Sequence, residues 1–118
     1  MSPLDDYTSL KDTVETAGYF TTPMPIKVSG DRMVCASKQD QYGLSGVSFW
    51  VAKRGIEWFI AAWGGSIYKL PPNTHIEAAA IDALRTHQGT PFDFSEEFKA
   101  RFSLTEVTGE EFDSLPHP

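Results

Sequence analysis

Few side chains in this chain stand where chemistry would need them. The histidines are His75, His87 and His117, and no two lie at the spacing that lets neighbouring imidazoles share a metal ion. Cys35 is the only cysteine, so there is no thiol pair for a zinc set and no intrachain disulfide. No metal site and no cofactor are expected. Cys35 lies in the apolar run Met33-Val34-Cys35-Ala36, which suits a buried structural thiol. A nucleophile would need a base beside it, and the sequence places none there. His87 falls on the inner stripe of a helix and reads as a packed side chain.

Two further patterns point to chemistry only superficially. Gly64-Gly65-Ser66 lacks the longer glycine-rich loop, the Lys and the following helix of a phosphate-binding loop; a strand and Pro71-Pro72 follow instead. The acidic pairs Asp5-Asp6, Glu96-Glu97 and Glu110-Glu111 all fall at helix starts, where the helix dipole accounts for them. No catalytic residue is assigned.

What remains is binding chemistry. The polar stretch 37–45 reads as the longest loop of the chain and offers both charges, amides and a ring through Lys38, Asp40 and Tyr42. Trp50, Trp63 and Tyr68 crowd the stretch that follows, and exposed Trp and Tyr mark interfaces and ligand clefts. The same rings equally serve as core. Lys38, Asp40, Tyr42, Trp50, Trp63 and Tyr68 are therefore the candidate binding residues.

These residues hang on the stretch 46–70, which holds all three tryptophans and reads as three antiparallel strands. In a strand alternate side chains face opposite sides. Over 47–52 one face shows Val47, Phe49 and Val51, the other Ser48, Trp50 and Ala52. Over 57–63 both faces are apolar (Trp58, Ile60, Ala62 against Phe59, Ala61, Trp63), which predicts a central strand covered on two sides. Lys53-Arg54-Gly55 and Gly64-Gly65 read as the turns, and Pro71-Pro72 as the stop.

Upstream, Ser2-Pro3 and Asp5-Asp6 open a helix over 3–17, striped by Leu4, Tyr7, Leu10 and Val14 and ended by Gly18. Ile26-Lys27-Val28 and Met33-Val34-Cys35 flank Ser29-Gly30-Asp31 as an edge hairpin. Downstream, Thr74 and Glu77 form a capping box before a helix whose stripe is Ile76, Ala79, Ala80, Ala83, Leu84 and His87. Phe94, Phe98 and Phe102 mark a shorter helix over 93–103. Then come a short strand at 104–107 and a last helix, capped by Thr108 and Glu111 and stapled by Val107 against Phe112. The sum is one α+β domain over 1–118: a largely antiparallel sheet of about five strands, an N-terminal helix and C-terminal helices packed on it.

Composition narrows function by exclusion. Hydrophobic content of 41% supports an ordinary core. Ten Lys and Arg against sixteen Asp and Glu give a net charge of −6, which argues against nucleic acid and anionic membranes as partners. No signal peptide or membrane span is read, so the expectation is a soluble, cytoplasmic protein. Two functions stay open. One is a small acidic, non-enzymatic protein-binding module of adaptor, inhibitor, secretion-chaperone or toxin-neutralising type, with a protein partner or a second copy. The other is a small-molecule-binding domain or enzyme with a pocket between sheet and helices, in which Tyr42, Trp50 or Trp63 stacks on the ligand.

Overall fold

The computed structural model describes residues 7–23, 32–64, 66–72, 74–86 and 93–115. Its elements run α1 (Thr8–Thr16), β1 (Phe20–Pro23), β2 (Arg32–Asp40), β3 (Gly43–Arg54), β4 (Glu57–Ala61), β5 (Ile67–Lys69), α2 (Ile76–Thr86), α3 (Glu96–Arg101), β6 (Thr105–Val107) and α4 (Gly109–Ser114). The strands form one six-stranded sheet in sequential order, each antiparallel to the next. The class is α+β: among the described residues α1 precedes the sheet, α2 and α3 lie between β5 and β6, and α4 follows β6. The sixth strand is Thr105–Val107, which adds to the far edge of β5.

The two-sided middle strand is present. Val51 pairs with Ile60 and Ala52 with Phe59. Phe49, Val51 and Ile60 share one core with Tyr7, Leu10 and Val14 of α1, the inner stripe of α2, and Phe94 and Phe98. Trp50, Ala52, Phe59 and Ala61 share the other with Ile67 and Phe112. β4 ends at Ala61, earlier than the apolar run suggests, so Trp63 lies outside the strand. The β3–β4 turn is also shorter than expected: Arg54 still pairs with Glu57, leaving Gly55-Ile56 as the loop. Gly55 has φ +63°, the positive φ that a two-residue hairpin turn of type II′ requires at its first central position.

Local signals explain the helix ends. The Gly18 N–H donates to Glu15 O at 3.0 Å and the Tyr19 N–H to Val14 O at 3.1 Å, the paired bonds of a Schellman stop. The expected start of this helix, including Ser2 and Pro3, lies outside the described residues. Alanines at 79, 80 and 83 are fully buried and let α2 lie close to the sheet. That helix begins at Ile76, so Thr74 is not its cap; His75 O takes the first helical bond, from the Ala79 N–H. Glu77 instead accepts from Ser9 Oγ at 3.0 Å and ties α2 to α1. Ser95 Oγ caps α3 through the Phe98 N–H, and Thr108 Oγ1 caps α4 through the Glu111 N–H at 3.0 Å.

Two expectations about the polar segments need correction. Met33, Val34 and Cys35 pair with Pro23, Thr22 and Thr21, so the described edge strand is β1; Ile26-Lys27-Val28 lies outside the described residues, as do His87 and His117. The stretch 37–45 is not a loop. β2 and β3 run through it and turn at Gln41-Tyr42. Residues 38–43 are exposed, so these strand segments are solvated on both faces and need no apolar alternation.

Candidate functional site: a hairpin arm at one end of the sheet

β2 and β3 outrun their neighbours. β1 pairs with β2 only as far as Ala36, and β4 pairs with β3 only from Trp50. Among the described residues, 38–45 are therefore paired only with each other, Lys38 with Ser45, Gln39 with Leu44 and Asp40 with Gly43. Residues 38–43 are all exposed, and Tyr42 at the turn is 88% exposed. The result is a two-stranded arm reaching past the sheet by roughly 15–20 Å at about 3.3 Å per residue.

The turn and the root of the arm are both locally specified. Asp40 Oδ1 accepts from the Tyr42 N–H at 2.8 Å, an Asx turn. Asp in the first position and Gly43 in the fourth are the residues a type I turn favours, so Asp-Gln-Tyr-Gly was the signal that could have revealed the hairpin. At the root the register shifts between Ala36 and Lys38, with Gly46 and Val47 opposite Ser37. Gly46 has φ +72°, and the Val47 N–H donates to Ser37 Oγ at 2.9 Å. This is a bulge led by a left-handed glycine. A Cβ at Gly46 would also fall 2.4 Å from Ser37 Oγ, so the position excludes side chains twice over.

Strand alternation puts Lys38 and Asp40 on the same face as Val34 and Ala36 of β2, and so on the face of Ser48 and Trp50. Trp63 stands at the foot of the arm: its Nε1–H donates to Ser48 Oγ at 2.9 Å while the residue remains 46% exposed. The structure thus brings Lys38, Asp40, Tyr42 and Trp63 to one end of the sheet. Two candidates do not join them. Trp50 is buried, its ring 5.6 Å from that of Phe112, and has no face free for stacking. Tyr68 points to the opposite face and is also buried.

Tyr68 belongs to a polar cluster that sequence reading missed. Its hydroxyl donates to Asp93 (2.8 and 3.0 Å to the two carboxylate oxygens), and Lys99 Nζ lies 3.0 Å from Asp93 Oδ2. Burial, and then the Asp93 carboxylate, push the Tyr68 phenol up. Burial raises the Asp93 carboxyl, but hydrogen bonds from Tyr68, Lys99 and the Phe94 N–H outweigh it and hold the group below its ordinary value. Asp93, then Tyr68, raise Lys99. Tyr68 and Lys99 are held protonated and Asp93 ionised at neutral pH, the reverse of a poised general base. The cluster borders an open groove of about 650 Å³ with Glu96, Ser103 and Glu106. Its chemistry is that of a tie fastening the start of α3 to β5. Cys35 is inert for a similar reason: complete burial pushes its thiol up to about 12.

No protein-family model matches this chain, and no curated protein or solved structure matches it either.

Proposed function

We propose that this chain is a non-catalytic, acidic protein-binding module, of adaptor, inhibitor, secretion-chaperone or toxin-neutralising type, working in the cytoplasm. The observation that carries the reading is the arm, six consecutive exposed residues held in a defined hairpin beyond the sheet with Tyr42 at its tip. A sheet-rooted arm keeps its side chains in fixed positions, so little ordering entropy opposes docking. Its strand edges, unpaired among the described residues, offer main-chain groups for strand addition, while Lys38, Asp40 and Tyr42 supply specificity. The net charge of −6 favours a basic protein surface over nucleic acid. The other reading, a pocket lined by stacking aromatics, has less support, because Trp50 is core and the groove beside Lys99 is open.

The test is comparative capture from the native host. Wild-type protein and the triple variant Lys38→Ala, Asp40→Ala, Tyr42→Ala are used as baits and their partners quantified by mass spectrometry. The variant should melt at nearly the wild-type temperature, since exposed positions usually shift stability by no more than about 0.5 kcal/mol each. It should also lose the partners that wild type recovers. Equal recovery would return the arm to a structural role.

A further inference from the structure

Between Met33 and Ala52 the only charged residues are Lys38 and Asp40, so this stretch is neutral while the whole chain stands at −6. Two copies of an acidic protein repel each other, and least where they present neutral surface. Lys38 and Asp40 stand two apart on one face of β2 and are both exposed. Among the described residues neither joins an ion pair. The arm also separates two exposed rings, Tyr42 at its tip and Trp63 at its foot. Trp63 is fixed there by its bond to Ser48, and Ser48 pairs with Ala36.

A single two-fold axis matches all of these features. With that axis over Gln39, two arms lie antiparallel and face to face, about 10 Å apart as in packed sheets. Position 38 of each copy then lies over position 40 of the other, and position 42 over position 36. Each Lys38 meets an Asp40 of the other copy, and each tip reaches the other foot, beside Trp63. An isologous interface makes every such contact twice. Charges of one sign at 38 and 40 would repel under the same operator.

We infer, resting on the reading of the arm as a binding surface, that it takes a second copy of this chain as a partner, arm against arm, with Lys38 and Asp40 paired across the two-fold. An arm of this size covers less than the roughly 800 Å² per partner of a standard interface. The dimer is therefore weak, with a dissociation constant of about 10 μM to 1 mM.

Sedimentation of the wild type over that range should show a reversible dimer, and the triple variant Lys38→Ala, Asp40→Ala, Tyr42→Ala should stay monomeric. Two single variants separate paired charges from net charge. Asp40→Asn keeps an acceptor for the Tyr42 N–H, so the turn survives, and one Asp fewer takes the chain from −6 to −5. Overall repulsion alone would make this variant dimerise more tightly, whereas loss of the paired charges should weaken its dimer about threefold or more. Lys38→Glu should abolish the dimer. Mixing Lys38→Glu with Asp40→Asn should recover heterodimers, because one Lys38–Asp40 pair is restored. A wild type that stays monomeric at about 1 mM, or an Asp40→Asn dimer as tight as wild type or tighter, overturns the inference. Neither result touches the arm as a site for other proteins, which falls only if the triple variant captures the wild-type partners from the host.

Discussion

The two faces of the sheet are buried by different means. On the Phe49 face, α1, α2 and the segment from Phe94 into α3 at Phe98 interlock, and the core includes fully buried Tyr7, Leu10, Val14, Phe49, Val51 and Ile60. On the Trp50 face the described cover is one short helix anchored by Phe112, with two arginines filling in around its ring. The first face is held by apolar area spread over many residues, each fully buried large side chain stabilising by roughly 1.5–3 kcal/mol. The second is held, among the described residues, by a few aromatic contacts and cations. Among the described residues the larger apolar cluster lies on one face, and the exposed side chains of Lys38, Asp40 and Trp63 lie on the other.

Truncation on the two faces should show this directly. Phe49→Ala should cost roughly 3–5 kcal/mol, enough to unfold a typical small domain, and Phe59→Ala should approach that range because it too is buried within the strands. A loss under about 1 kcal/mol for Phe59→Ala in urea melts would mean that the second face is not a core at all. Phe112→Ala, although the side chain is equally buried, should cost only about 1–2 kcal/mol, because α4 can leave as a unit without opening the sheet. Hydrogen exchange would check it: the amides of α4 should exchange well before those of β3 and β4, and equal protection would erase the distinction between the faces.

A more local effect separates the arm from both. Gly46→Ala forces a left-handed alanine and a clash with Ser37 Oγ, at a cost of about 1–3 kcal/mol. The penalty should appear as loss of arm order, read from the Val47 amide shift, while the Trp58 and Ile60 amides stay unchanged. A shift that spreads across β4 would show that arm and core are not independent.

The smallest expected effect is a pH dependence on the first face. Asp93 is depressed in the folded state, so its contribution is present above the unfolded carboxyl pKa of about 3.9 and is lost as pH falls through the lower folded value. Asp93→Asn should therefore lower stability at pH 7 and flatten the acid limb of the stability curve. A limb as steep as wild type would mean that the tie to Tyr68 and Lys99 does no work.

How much of this was legible depends on how far apart the interacting residues lie. The two-sided β4, the alanine stripe of α2 and the Thr108 cap with its Val107–Phe112 staple were readable, because each is written within a few neighbouring positions. The arm was locally written too, in Asp40, Gly43 and Gly46, but its polar strands resemble a loop when apolar alternation is the cue. The Tyr68–Asp93–Lys99 tie and the clasp of Arg32 and Arg54 on Phe112 had no local trace. By itself the chain determined its periodicities, its turns and its caps, all properties of short-range sterics and hydrogen bonding. Only the tertiary structure decided which face each helix would cover, which tryptophan would stay in water, and which cations would meet a ring, because those contacts join residues from distant parts of the chain.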